Sequence, residues 1–204
     1  MSLRLVLASA SPRRESLLRG LGLAFEVVPS GIPEDGGGGP ALQVAPALAL
    51  AKAREVAARL SIPQSAIRIP QCLVLGADTI VECEGKTLGK PADAAEARTM
   101  LRALSGRTHR VVTGVALVDA ASGRAETGAA LTEVTFRALT DAEIAAYVET
   151  GEPFGKAGAY AIQEVGGLLV EEIRGSPSNV IGLPVTLVYD LLRRFDLDLW
   201  TLRR

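Results

Sequence analysis

Short apolar runs separated by turn residues alternate with longer stretches whose apolar positions recur every three or four residues, and this alternation predicts interleaved strands and helices. Residues 3–8, apolar except for Arg4, end at a serine-rich turn, which suits a buried strand, although the period alone fits a helix as well. Ser11 is placed to cap a helix and Pro12 to open it, with Leu17, Leu18 and Leu21 along one face. Residues 25–29 predict a second strand, and residues 30–40, with four consecutive glycines at 36–39, predict a loop. Pro46 predicts the start of a helix that runs to Leu60. Residues 72–76 predict a buried strand that delivers Asp78 and Thr79 at its end, followed by a hairpin around Glu84-Gly85.

Asp93 and Glu96 have the spacing of a capping box for a helix that Gly106 ends, and Thr140 and Glu143 repeat it for a helix to Thr150. Between them, residues 109–119 and 126–136 predict two strands joined by a turn at Ser122-Gly123. Residues 159–163 and 168–173 predict strands on either side of Gly166-Gly167, and residues 185–195 a closing helix. Two stretches of hairpin character among strand–helix alternations imply an α/β fold with a mixed sheet flanked by helices.

Length and composition narrow the classes. A chain of 204 residues, 48% hydrophobic, is expected to form one domain over 1–204 and to bury roughly two-thirds to three-quarters of its unfolded surface. With 22 Lys plus Arg against 23 Asp plus Glu, no global field recruits nucleic acid or an anionic membrane, so anion binding needs a local cluster. The apolar run at the start is too short for a signal peptide or a membrane span, and a cytoplasmic location is expected. Two cysteines, Cys72 and Cys83, exclude a four-thiolate zinc site and suit buried free thiols. With a single histidine, any bound metal takes mostly carboxylate oxygens, which favours magnesium or manganese over zinc.

Several motifs fail. Gly85-Lys86-Thr87 imitates the end of a phosphate-binding P-loop, but Ile80 stands where that loop needs glycine. No Gly-x-Ser-x-Gly marks a nucleophile elbow. His109, among Arg107, Arg110 and Val111 at a strand start, is better read as a solvated or hydrogen-bonded histidine than as a triad member.

One constellation survives. Ser9, Ser11, Arg13 and Arg14 lie where a strand runs into a helix, so hydroxyls, free backbone N–H groups and guanidinium forks can converge on an anion. The same residues also fit an ordinary helix start. Asp78 is a candidate metal ligand or water-orienting carboxylate, and equally a turn-capping aspartate. Lys52 and Lys90 are cations that solvent could simply hold, Glu34 reads by itself as a surface carboxylate, and Lys156 and Gln163 lie in a glycine-rich stretch. Gln163 carries the donor and acceptor that a pyrimidine edge needs, and a plain strand glutamine fits it too.

Taken together, residues 7–14 (Leu-Ala-Ser-Ala-Ser-Pro-Arg-Arg), 76–79 (Gly-Ala-Asp-Thr), 88–91 (Leu-Gly-Lys-Pro), 104–109 (Leu-Ser-Gly-Arg-Thr-His) and 158–163 (Gly-Ala-Tyr-Ala-Ile-Gln) closely resemble the Maf family, in order and over nearly the whole chain. The resemblance implies an elongated fold like that of inosine triphosphate pyrophosphatases, with two lobes around a central nucleotide cleft, and usually a homodimer. It implies that Asp78 is the catalytic carboxylate and a metal ligand with Glu34, that Ser9, Arg14, Lys52 and Lys90 bind phosphate, and that a divalent cation, magnesium or manganese, is needed. Arg13, Thr79 and Gln163 match the positions that mark the branch acting on dTTP and UTP.

Two departures stand out: Gly155 where the family commonly has aspartate, and residues 176–179 (Ser-Pro-Ser-Asn) where an aromatic is common. The implied activity is hydrolysis of dTTP and UTP to the monophosphate and pyrophosphate. A nucleotide-binding regulator with little turnover competes with it, because the family has been linked with arrest of septum formation, and a nucleotidyltransferase is a third expectation.

Overall fold

The computed structural model describes residues 3–33, 38–60 and 71–202. Its strands form a seven-stranded mixed sheet in the order β2 (Glu26–Val27), β1 (Leu3–Leu7), β3 (Gln71–Cys83), β5 (Thr108–Asp119), β6 (Ala125–Phe136) and β7 (Val170–Arg174), with β4 (Lys86–Leu88) paired to β3. The chain divides into two compact units, residues 1–78, 113–130 and 182–204 in the first, and 79–112 and 131–181 in the second.

In the first unit, β1 (Leu3–Leu7) pairs in parallel with the short β2 (Glu26–Val27) and with β3 (Gln71–Cys83). Between β1 and β2, α1 (Pro12–Gly20) starts with Pro12 where sequence placed it, though the Ser11 side chain makes no capping bond. The core on one side joins Leu5, Leu7, Leu18, Leu73, Leu75, Val115 and Leu117 to Leu183, Val188, Leu191 and Leu192 of the closing segment.

Helix α2 (Ala41–Leu60) covers a second cluster with Ala49, Ala53, Val56 and Ala57. It begins five residues before the Pro46 predicted to open it, and Pro46 lies inside it. The Pro40 carbonyl starts the helix by accepting from Gln43 and Val44 N–H groups at 2.9 and 3.1 Å. A buried stripe of Ala41, Ala45, Ala49 and Ala53 then outweighs the hydrogen bond lost at the proline. Two glycines let α2 come this close. A Cβ on Gly76 would lie 2.1 Å from the Ala49 carbonyl oxygen, and one on Gly114 would lie 2.1 Å from the Ala45 carbonyl carbon.

In the second unit, β3 turns through Glu84 and Gly85, both at positive φ, into antiparallel β4 (Lys86–Leu88). Helix α3 (Ala94–Leu104) is capped by the Asp93 carboxylate, which accepts from Glu96 N–H at 2.8 Å. Strands β5 (Thr108–Asp119) and β6 (Ala125–Phe136) belong to both units, and their turn at Ser122-Gly123, in the first, is where it was expected. The Thr140 and Glu143 box is fully formed at the start of α4 (Asp141–Glu149). At Asp93 the return bond of Glu96 goes to the Ala92 N–H at 2.7 Å, so only half of that box forms, yet local geometry fixes both helix starts, which is why sequence places them well.

The strand expected at 159–163 is absent. Gly158 and Ala159 sit at φ of 71° and 61°, inside a 3₁₀ turn at Ala157–Ala159, and that geometry cannot continue a strand. A second 3₁₀ turn at Val165–Leu169 leads into β7 (Val170–Arg174), antiparallel to β6. Helices α5 (Pro177–Ile181), α6 (Val185–Arg194) and α7 (Leu199–Leu202) end the described chain. No helix among the described residues is long and apolar enough to cross a membrane.

Candidate active site

In the first unit, parallel pairing of β1 with β3 ends at Leu7 and Leu75, and the Ala8 N–H still donates to the Leu75 carbonyl at 2.8 Å. Ser9 follows on one strand, and Asp78 three residues past Leu75 on the other. Asp78 therefore does not emerge at its own strand's end, as sequence suggested. It lies within a strand of 13 residues, at the stretch where β3 exchanges its partner β1 for β4. The crevice rule for carboxyl ends of strands applies here to β1, the strand that stops.

Ser9 is buried, and its hydroxyl oxygen accepts from the Ser11 N–H at 3.2 Å and from Arg14 Nη1 at 3.0 Å. Arg14, 7% exposed, also donates from Nε to the Gly182 carbonyl at 2.9 Å. A buried guanidinium so braced presents a fixed rather than a wandering cation, which favours bidentate recognition of phosphate. Arg13, one residue earlier, is partly exposed.

Lys52 and Asp78 form an ion pair at 2.7 Å, with side chains 5% and 7% exposed. The close seat of α2 on Gly76 puts Lys52 within reach of Asp78. A buried ammonium beside a buried carboxylate offsets part of the desolvation cost that either would meet alone. The pair supplies a fixed carboxylate able to take a proton or a cation and a fixed ammonium able to face a phosphate oxygen.

Among the described residues no group of three or more His, Cys, Asp or Glu side chains could hold a metal ion. The donor chemistry of Asp78 fits a magnesium or manganese ion held by one or two carboxylates, with phosphate oxygens and water completing its shell. Glu34, the second expected carboxylate, lies outside the described residues.

In the second unit, Thr79 is partly buried on β3 and Lys90 is exposed in the loop after β4. Gly89 beside Lys90 accepts from the Gly158 N–H at 3.0 Å, so the Lys90 loop and the turn after Lys156 are fastened together. A Cβ on Gly158 would lie 3.0 Å from Val81, which keeps that turn close to β3. Lys156 donates to the Glu152 carbonyl. Gln163 is exposed, with Nε2 3.4 Å from Glu164 Oε1. Gly155, where the family commonly has aspartate, is exposed at φ 72° and a Cβ there would meet nothing within 4 Å. Asn179, in the other departing stretch, is fully buried and donates to the Val111 carbonyl and Thr132 Oγ1, both at 2.9 Å, so it serves packing.

Of two polar centres in this unit, sequence reasoning anticipated a hydrogen-bonded His109 but not its burial, and missed Glu152. His109 is 1% exposed, with Nε2 2.8 Å from the Tyr160 hydroxyl and edge-to-face contacts to Phe136 and Tyr160. Burial pushes its pKa down to about 4, so it is neutral and structural at neutral pH. Glu152 gathers three donors from residues up to fourteen positions away, and nothing in its immediate neighbours signals that.

A family model for Maf-like proteins matches residues 4–195. Curated relatives include the dTTP/UTP pyrophosphatase of Moorella thermoacetica, 54% identical over 199 residues and covering 97% of each chain. Another is the dTTP/UTP pyrophosphatase of Escherichia coli O157:H7, 48% identical over 192 residues, covering 94% of this chain and 93% of the relative. That of Thermococcus gammatolerans is 48% identical over 187 residues, covering 92% of this chain and 94% of the relative. A solved dITP/XTP pyrophosphatase of Mycobacterium abscessus aligns at a TM-score of 0.40 and 18% identity over 65% of this chain and 74% of that one, too weak a likeness to bear on the fold. The family match across nearly the full length, together with relatives near half identity, places the chain in the Maf family.

Proposed function

We propose that this protein hydrolyses the pyrimidine triphosphates dTTP and UTP between the α- and β-phosphates, releasing the nucleoside monophosphate and pyrophosphate. The relatives that carry that name cover nearly the whole chain. The observation that supports the chemistry most directly is the buried Lys52–Asp78 pair at 2.7 Å, in the same unit as the braced Ser9–Arg14 pair.

In this reading a water attacks the α-phosphorus and Asp78 accepts its proton. Lys52 holds the Asp78 carboxylate in place through their 2.7 Å contact. Charge spreads over the phosphoryl oxygens in the transition state, and Arg14 and Lys52, with the Ser9 hydroxyl, stabilise it without having to reorganise, while Lys90 is assigned to phosphate by the family resemblance alone. A magnesium or manganese ion, held by Asp78 and Glu34, would neutralise triphosphate charge and orient the phosphates when bound. Arg13, Thr79 and Gln163 set the preference for a pyrimidine base. The family resemblance also supports a homodimer, which sedimentation of the purified chain tests.

Product analysis with dTTP or UTP and each metal decides the reaction. Pyrophosphate with dTMP or UMP is expected. Stepwise release of orthophosphate would make it a phosphatase, and tight binding without product a regulator. Asp78→Asn lowers turnover by orders of magnitude, and pyrophosphate release near the wild-type rate would remove Asp78 from the chemistry.

A further inference from the structure

Residues 150–169 contain only turns and two short 3₁₀ segments, yet they are fastened at one carboxylate. Glu152 Oε1 accepts from the Tyr147 hydroxyl at 2.7 Å and from the Gly166 N–H at 2.8 Å, while Oε2 accepts from the Val165 N–H at 3.0 Å. The Tyr147 hydroxyl oxygen in turn accepts from the Ala161 N–H at 3.2 Å. Backbone groups on both sides of Gln163, at Ala161 before it and at Val165 and Gly166 after it, are thus gathered by a single Tyr147–Glu152 pair.

The rest of the segment is fitted to that pair. A Cβ on Gly166 would lie 2.6 Å from both the Tyr147 hydroxyl and the Ala161 carbonyl oxygen, and one on Gly167 would lie 2.8 Å from the Ile162 carbonyl oxygen. Glu152 is itself held from behind: its N–H donates to Thr150 Oγ1 at 3.1 Å, and the Thr150 hydroxyl donates to the Tyr147 carbonyl at 2.6 Å. Tyr147 sits on α4 with its ring in the hydrophobic cluster that includes Ile144 and Val148. The exposed turn carrying Gln163 therefore takes its position from a packed helix, through bonds that a carboxylate makes shorter and stronger than a neutral group would.

We infer that Glu152, braced by Tyr147, is a positioning residue that sets the presentation of Gln163 and through it the choice of nucleobase. This rests on the proposed reading of Gln163 as a base-recognising side chain. A neutral amide cannot replace the carboxylate. It keeps one acceptor oxygen and turns the other position into a donor, which then faces either Val165 N–H or the Tyr147 and Gly166 donors. The turn would loosen while the Lys52–Asp78 and Ser9–Arg14 pairs, which belong to the other unit, keep their contacts.

The test compares kcat/KM for dTTP with that for dATP in wild type, Glu152→Gln, Tyr147→Phe, Gln163→Ala and the double variant Glu152→Gln/Gln163→Ala. The expected result is a selectivity lowered about tenfold in Glu152→Gln, mostly through a raised KM for dTTP. Tyr147→Phe, which removes one hydroxyl and is the arm to use if Glu152→Gln does not fold, is expected to lower it severalfold. The double variant is expected to be no less selective than Gln163→Ala, because Glu152 acts through that side chain. Wild-type selectivity in both Glu152→Gln and Tyr147→Phe, with selectivity lost in Gln163→Ala, overturns the positioning role. So does a double variant whose loss is the product of the two single losses. Unchanged selectivity in Gln163→Ala overturns instead the reading of Gln163 on which the inference stands.

Discussion

His109 gives a stability prediction with a definite sign. Its pKa lies at about 4 in the fold, below the ordinary value of 6.5, because the ring is buried against Phe136 and Tyr160. Between those two values the unfolded chain takes up a proton that the folded protein refuses. The contribution is therefore fully present above the unfolded pKa and is lost as pH falls toward the folded one. The interval from 6.5 to about 4 corresponds to roughly 3 kcal/mol, at about 1.4 kcal/mol per tenfold change. That is a large share of the roughly 5–15 kcal/mol that holds a typical domain together.

The perturbation that isolates it is His109→Phe, followed by urea unfolding between about pH 7 and pH 4.5 beside the wild type. At neutral pH the variant is less stable by about 1–3 kcal/mol, because the buried Tyr160 hydroxyl loses its partner. As pH falls the variant has no imidazole to protonate on unfolding, so the gap narrows by roughly 2–3 kcal/mol and can change sign. The carboxylates titrate in both proteins and cancel in the difference. A gap that stays constant across the range would refute the assignment of His109 as a buried neutral group.

Gly76→Ala places a Cβ 2.1 Å from the Ala49 carbonyl oxygen, so α2 must shift; a loss of about 1–3 kcal/mol is expected, read as a melting temperature lowered by about 2–4 °C per kcal/mol, with turnover falling because Lys52 moves with the helix. Lys52→Met leaves the buried Asp78 carboxylate without its 2.7 Å cation and destabilises by about 3–5 kcal/mol; adding Asp78→Asn restores most of it in urea unfolding, which an independent pair of side chains would not show. Asp93→Ala removes the bond to Glu96 N–H and costs about 1 kcal/mol by the same measurement, with no effect on kcat. Arg13→Ala changes the ratio of dTTP to other triphosphate hydrolysis more than it changes turnover, and an unchanged substrate panel would count against its role in base choice.

What the sequence made legible follows from how far apart the cause and the effect lie along the chain. The helix starts at Asp93 and Thr140 and the turns at Glu84-Gly85 and Ser122-Gly123 are set by residues within four positions, and they stand where they were expected. Pro46 misled because the force that keeps it helical is the seat of α2 against Gly76 and Gly114, 30 and 68 residues away. Residues 159–163 misled because a short apolar run does not register a left-handed Gly158-Ala159 pair.

For the candidate site, residue types and family pattern named Ser9, Arg14, Lys52 and Asp78. That Ser9 contacts Arg14 and Lys52 contacts Asp78 needed coordinates. Glu152 and His109 were illegible as centres because a carboxylate's donors and an imidazole's burial are tertiary facts.

The first unit is assembled from three stretches of chain, and its last stretch supplies both Leu183, Val188, Leu191 and Leu192 to the core and the Gly182 carbonyl that braces Arg14. A ribosome therefore delivers Ser9, Arg14, Lys52 and Asp78 early and the carbonyl that braces Arg14 late. Until residues 182–192 emerge, the guanidinium lacks its Gly182 brace and one face of β1, β3 and β5 lacks the side chains that close it. Removing residues 182–192 is therefore expected to uncover an apolar face of β1, β3 and β5 and to unbrace Arg14 together, so that core packing and order at the proposed phosphate contact are lost as one.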